Sequence, residues 1–86
     1  MNNEYIGFIG GGNMTRAIAG GLIESHYPAD DLLIAEPAIE QRAVLDRDLP
    51  GVVIEESNVD VAARAGTLVL AVKPQVMREV CVALAD

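Results

Sequence analysis

Three consecutive glycines, Gly10-Gly11-Gly12, stand where two different hydrophobic periods meet. Before them runs Tyr5-Ile6-Gly7-Phe8-Ile9, short, apolar, and rich in β-branched and aromatic side chains. Such a run reads as a buried strand, and the glycines read as the turn that ends it. After them the period changes. Met14, Ala17, Ile18, Gly21 and Leu22 recur at i, i+3, i+4, i+7 and i+8, the spacing of one helix face. This predicts a helix over residues 13–25 with that face turned to the sheet. Ala17, Ala19, Gly20 and Gly21 keep it thin enough for close packing, and His26-Tyr27-Pro28 ends it. A strand that enters a helix through a glycine turn is half of a βαβ unit.

The rest of the chain repeats the alternation. Leu32-Leu33-Ile34-Ala35 is a second strand, stopped at Glu36-Pro37. Residues 38–48 form a helix in which Ile39, Arg42, Ala43 and Asp46 keep helical spacing and Val44 and Leu45 widen the face. Pro50-Gly51 turns into Val52-Val53-Ile54, a short third strand. A helix over 58–65 follows, with Ser57 or Asn58 as its N-cap. The fourth strand, residues 67–72, is apolar apart from Thr67, and a last helix starts at Gln75 and runs to Asp86. Strands alternating with helices predict an α/β fold with a parallel sheet covered on both faces. Its doubly wound order is 3-2-1-4, with the fourth strand beside the first. Aromatic residues make up 3% of the chain and Trp is absent, so the core must be aliphatic. With 51% hydrophobic residues the chain lacks the composition of a disordered segment.

In this context the glycines carry chemistry. They match the first two positions of G-x-G-x-x-G, follow a strand, open a helix, and precede the acid Glu36 at the tip of the second strand. That combination reads as a dinucleotide site. Gly10 supplies a turn without a Cβ, and Gly12 lets the backbone approach a pyrophosphate. The first amides of the helix, around Asn13 and Met14, bind the anion with the helix dipole behind them. Glu36 accepts from the ribose hydroxyls. The plain alternative is a tight strand-to-helix turn with no ligand. Ligands of doubly wound sheets sit at the switch point, outside the carboxyl ends of the strands. Lys73 and Pro74 should therefore border the same crevice; otherwise Lys73 is a solvated lysine after a strand. Thr15, where Gly or Ala is usual, widens the helix contact or turns its hydroxyl to a phosphate. Arg42 reaches a 2′-phosphate or lies on a solvated helix face. Asn58 caps its helix or contacts the cofactor. His26 is expected at a helix end, Cys81 as a small buried hydrophobe, and Asp46, Asp48, Glu55 and Glu56 at the surface.

The net charge of −7 is no objection to a dinucleotide, because the glycine loop binds through amides. Residues 30–60 hold nine acids against Arg42 and Arg47, whereas residues 7–15 are uncharged. The acid excess argues against a nucleic-acid or anionic-membrane surface. One cysteine and one histidine argue against an internal disulfide or a Cys- or His-based metal site. No apolar run reaches the roughly 20 residues of a membrane span, and Met1-Asn2-Asn3-Glu4 lacks the basic start of a signal peptide. A cytoplasmic setting is expected.

Ile6-Gly7-Phe8-Ile9-Gly10-Gly11-Gly12-Asn13-Met14, with Ala17-Ile18-Ala19-Gly20-Gly21-Leu22, closely resembles the start of pyrroline-5-carboxylate reductases. Leu70-Ala71-Val72-Lys73-Pro74-Gln75 resembles the family's second signature. The resemblance implies a Rossmann-like fold and reduction of the C=N bond of 1-pyrroline-5-carboxylate to L-proline with NADPH or NADH. It implies that Ile9, Gly10, Gly11, Gly12, Asn13 and Met14 hold the pyrophosphate, and that Ala71, Val72, Lys73 and Pro74 line the nicotinamide side. Asn58 would lie near the adenosine ribose. Thr15 departs from the usual Ala. Glu36 stands where many members have residues that accept a 2′-phosphate, which leans towards NADH, while Arg42 leaves the point open. The family continues into a helical domain that forms the dimer and grips the substrate. The 86 residues are accordingly expected to be one N-terminal NAD(P)-binding domain with an incomplete four-stranded sheet and no catalytic residues of its own. A homo-oligomer is expected only with the helical domain. The rival readings are a related two-domain reductase (an F420-dependent NADP reductase or a 3-hydroxyacid dehydrogenase) and a non-catalytic nucleotide-binding module.

Overall fold

A computed structural model describes residues 4–85, so Met1, Asn2, Asn3 and Asp86, including the expected last residue of the final helix, lie outside the description. Four strands alternate with four helices: β1 (Ile6–Ile9), α1 (Asn13–Glu24), β2 (Leu32–Ala35), α2 (Ile39–Asp48), β3 (Val53–Glu55), α3 (Asn58–Arg64), β4 (Thr67–Leu70) and α4 (Pro74–Ala85). A 3₁₀ turn, Ala29–Asp31, leads into β2. The sheet is parallel throughout and ordered β3-β2-β1-β4, as the alternation predicts. Phe8 sits in register with Ile34 on one side and Val69 on the other.

Successive side chains of a strand point to opposite faces, and here each face has its own helices. Phe8, Leu32 and Ile34 pack with Ala19, Leu22 and Ile23 of α1 and Leu45 of α2. Ile9, Leu33 and Ala35 pack with Val61 of α3 and Val80 and Leu84 of α4. Every residue of β2 is buried, which explains why its sequence reads as one apolar run rather than an alternation. α3 approaches β1 closely because position 7 is glycine; a Cβ there would lie 2.7 Å from a methyl of Val61.

Two expectations about helix faces are corrected. The buried residues of α1 are Thr15 and Ala19, with Leu22 and Ile23 packed behind them. Met14 is 60% exposed and Ile18 39% exposed, and Ala17 and Gly21 are exposed with them, so the stripe that the spacing selects looks outward except at Leu22. α1 carries two adjacent apolar arcs, and periodicity alone cannot say which one meets the sheet. In α2 the inward residue is Leu45, and Ile39 is exposed. Cys81, expected to be buried, is exposed on α4. The outer edge of β4 has no partner among the described residues, and Thr67 and Leu68 are exposed there.

α1 ends in a Schellman arrangement. The amide of His26 donates to Ile23 O at 2.9 Å and that of Tyr27 to Leu22 O at 2.9 Å. This puts His26 at φ 72°, where glycine is usual, and places it at a helix end as expected.

Candidate nucleotide-binding site

The carboxyl ends of β1, β2 and β4 converge on the glycine turn. Backbone pairing continues past the strands: Gly10 donates to Ala35 O at 2.9 Å, and Ala71 donates to Ile9 O at 2.9 Å. The turn therefore leaves the sheet between the end of β2, which carries Glu36, and the end of β4, which the switch-point argument selects. Gly10 has φ +102°, and a Cβ on it would lie 2.6 Å from Ala71 O. No other residue type suits that position. Gly11 is confined too, since its Cβ would meet a methyl of Leu45 at 2.6 Å. Gly12 differs from both. Its φ of −81° is open to any residue, and a Cβ on it would meet nothing within 4 Å. The chain itself does not require glycine at position 12.

Gly12 is the N-cap of α1, brings no capping side chain, and is followed by no acid in the first turn. The amides of Gly12, Asn13 and Met14 have no partner among the described residues. Open amides at a helix start, beside a glycine with free space in front of it, suit a pyrophosphate: the dipole favours the anion and no side chain blocks it. Thr15 does not contribute its hydroxyl. It is fully buried and donates to Gly10 O at 2.6 Å.

Glu36 reaches the loop from the end of β2. Its Oε1 accepts from the Gly11 amide at 2.9 Å, and its Oε2 accepts from the Ala38 amide at 3.0 Å. Gln41 adds a bond that sequence reasoning missed, donating from Nε2 to Gly11 O at 2.6 Å. The helical placement of Gln41 five residues beyond Glu36 was the available signal, but only the tertiary fold shows that α2 presents it to the loop. Arg42 is half-buried and donates from one guanidinium nitrogen to Glu36 O at 3.0 Å and Pro37 O at 2.8 Å. The solvated helix face expected for it is thus replaced by a clamp on the Glu36-Pro37 turn. Arg16 pairs with Asp48 at 3.4 Å and donates to Asn13 Oδ1 at 3.2 Å, linking α1 to the end of α2. The hydrogen bond from Arg47 holds the Asp48 carboxyl below its ordinary range, helped by the charges of Arg47 and Arg16.

The remaining candidates divide. Ile9, Gly10, Gly11, Gly12, Asn13 and Met14 form the turn; Ala71 and Val72 lie against Gly10; Lys73 is exposed just beyond them, and Pro74 is the first residue of α4. Proline suits that position because its missing amide would have no helical partner. Asn58 is the first residue of α3, three positions beyond the end of β3. Its capping alternative goes to Ser57, whose Oγ accepts from the Asp60 amide at 3.3 Å. A shallow groove between α3 and α4, lined by Val59, Ala62, Ala63, Ala83 and Leu84, is apolar and lacks convergent polar groups.

The fold and the turn define a Rossmann-like domain with a glycine loop at its switch point. The chain belongs to the family described as NADP oxidoreductase, coenzyme F420-dependent, whose model matches residues 5–86. It is 44% identical over 81 residues to a pyrroline-5-carboxylate reductase of Haemophilus influenzae, an alignment covering 94% of this chain and 29% of that protein. It is 41% identical over 85 residues to the pyrroline-5-carboxylate reductase of Pseudomonas aeruginosa, covering 99% of this chain and 31% of the relative. The solved structure of a pyrroline-5-carboxylate reductase from Coxiella burnetii superposes with a TM-score of 0.90 at 35% identity, over 99% of this chain and 31% of that one. The chain thus spans about 30% of the length of these relatives.

Proposed function

We propose that this chain is the nicotinamide-dinucleotide-binding part of a pyrroline-5-carboxylate reductase. The observation that carries the reading is the unfilled space before Gly12 beside the open amides of Asn13 and Met14, at the switch point of the sheet. Similarity to reductases of that name over 94% of the chain supports the substrate class. In this reading Ile9, Gly10, Gly11, Gly12, Asn13 and Met14 hold the pyrophosphate and Glu36 holds the adenosine ribose, with Asn58 at its margin. Ala71, Val72, Lys73 and Pro74 border the nicotinamide half. A dinucleotide held there, NADH or NADPH, would supply hydride to the C=N carbon of 1-pyrroline-5-carboxylate and leave oxidised, while a proton from solvent would reach the ring nitrogen to complete proline. The part of this chain in that reaction is to bind and orient the dinucleotide.

Residues 1–86 form one nucleotide-binding domain in this proposal. Substrate binding and subunit assembly belong to the portion of the relatives that the chain does not span. The proposed setting is cytoplasmic, in keeping with a small-molecule reductase; no helix among the described residues is long and apolar enough to cross a membrane.

Titration with NADH and NADPH, read by nicotinamide fluorescence, tests the reading. Saturable binding of at least one is expected, and no binding of either at millimolar concentration would overturn it. A hydride-transfer assay of the 86 residues alone with 1-pyrroline-5-carboxylate should give little or no turnover, because transfer needs both reactants held in contact. Robust turnover would refute the assignment of substrate binding to a separate portion.

A further inference from the structure

We infer that Gln41 is a positioning residue for the dinucleotide: its side chain fixes the direction of the Gly12 amide, one of the three open amides of the glycine turn. The inference rests on the nucleotide-binding reading above and adds the residue that presets the anion-binding geometry.

In a planar trans peptide the carbonyl and the following N–H point in opposite directions, so holding either group aims the other. Three successive glycines put little steric restraint on turning such a unit over, and the shape of the turn depends on what holds each peptide. The Ile9–Gly10 unit is held at both ends: Ala71 donates to Ile9 O and Gly10 donates to Ala35 O, each at 2.9 Å. The Gly10–Gly11 unit is also held at both ends. Thr15 donates to Gly10 O at 2.6 Å, and the Gly11 amide donates to Glu36 Oε1 at 2.9 Å. In the Gly12–Asn13 unit the carbonyl accepts the first bond of α1, from the Arg16 amide at 3.1 Å. The Gly11–Gly12 unit differs from all three. Its amide has no partner among the described residues, and its carbonyl accepts from Gln41 Nε2 at 2.6 Å.

The direction of the Gly11–Gly12 peptide thus rests on one side chain. Turning it over would carry φ of Gly12 from −81° into the positive region, which glycine reaches at no steric cost. The Gly12 amide would then point to the side of α2, and the anion would lose one of its three donors. Gln41 is itself firmly placed. Leu45, one turn further along α2, is fully buried and lies so close to Gly11 that a Cβ there would come within 2.6 Å of its methyl. Residues four apart share a helix face, so the packing that seats Leu45 against the turn presents Gln41 to it as well. The side-chain amide supplies a donor to a carbonyl that can only accept, and brings no charge to the turn.

The test compares the full 86-residue chain with Gln41→Met, which keeps the side-chain length and removes the donor. Gln41→Glu, which puts a charged acceptor in its place, is made in parallel. Amide NMR of the ligand-free chains reports the turn, and fluorescence titration with NADH and NADPH reports binding. In both variants the Gly12 amide should show a second population, as a second resonance or as relaxation dispersion. The Gly10 and Ala71 amides, held by backbone bonds, should stay as in the native chain. Apparent affinity scales with the fraction of chains in the competent geometry, so Gln41→Met should bind about five- to tenfold more weakly. Circular dichroism should show the native fold, because position 41 is half-buried and loses a single hydrogen bond. Affinity within about twofold of native in Gln41→Met would overturn the inference. So would a Gly12 amide that changes no more than those of Gly10 and Ala71 in both variants. Binding of neither dinucleotide by the native chain would instead overturn the nucleotide-binding reading, while the amide measurement, which needs no ligand, still decides whether Gln41 aims Gly12.

Discussion

The hydroxyl of Thr15 donates to the carbonyl of Gly10 at 2.6 Å, from a side chain with no exposure to solvent. The first turn of α1 thereby holds the turn that precedes it, and the loop amides keep their direction before any ligand arrives. Thr15→Val preserves shape but leaves that carbonyl without its donor. Stability should fall by about 1–3 kcal/mol, the cost of stranding a part-buried acceptor. Thr15→Ser keeps the donor and should fall less. Urea unfolding of the two variants checks the difference.

Gly10 and Gly12 should respond oppositely to substitution. Gly10→Ala adds a Cβ 2.6 Å from Ala71 O at φ +102°. Strain of this kind costs about 1–3 kcal/mol from the backbone, with overpacking added to it. The expected result is a large drop in melting temperature.

Gly12→Val puts its Cβ into open space at an extended φ. The fold should survive nearly unchanged by circular dichroism, while dinucleotide affinity falls by at least about tenfold, since the lost approach costs the amide contacts to the pyrophosphate. Retained affinity would show that the glycine loop is not the binding surface.

His26 occupies a left-handed position at the end of α1. His26→Gly relieves a Cβ clash that costs roughly 1–2 kcal/mol, less the greater flexibility of glycine in the unfolded chain. A net gain of about 0.5–1 kcal/mol is expected, which for a domain of this size raises the melting temperature by about 2–8 °C.

Ser57 is the only side-chain N-cap found on the described helices with an assigned cap. Ser57→Ala should cost about 1 kcal/mol, measured by chemical denaturation. Asn58→Ala, by contrast, should leave stability nearly unchanged, because Asn58 does not cap α3.

Much of the fold is legible in the sequence. The apolar run of β2 announces a strand buried on both faces, and Leu32, Leu33, Ile34 and Ala35 are all buried. The order 3-2-1-4 follows from parallel pairing and short connections, and it brings Ala71 against Gly10 as expected. The orientation of α1 was not legible. Met14 and Ile18 keep helical spacing as well as Ala19 and Ile23 do, and the choice between the arcs rests on which fits over Phe8 and Ile34. Cys81 failed for a related reason: residue type predicts burial only on average, and α4 turns that position outward.

By itself the sequence determined the alternation of strands and helices, the place of the glycine turn, and the acid at the tip of β2. Each of these follows from local chemistry: hydrophobic period, the missing Cβ of glycine, and proline as punctuation. Tertiary structure alone decided how those parts engage. It turned Gln41 towards the backbone of the glycine turn and Arg42 towards the Glu36-Pro37 backbone, latched Glu36 onto Gly11 across 25 positions of sequence, and left Gly12 facing open space. The physical reason is that such contacts depend on where α2 crosses the sheet and how far its side chains reach. That geometry comes from packing the whole core and is not carried by the spacing of residues along any one segment.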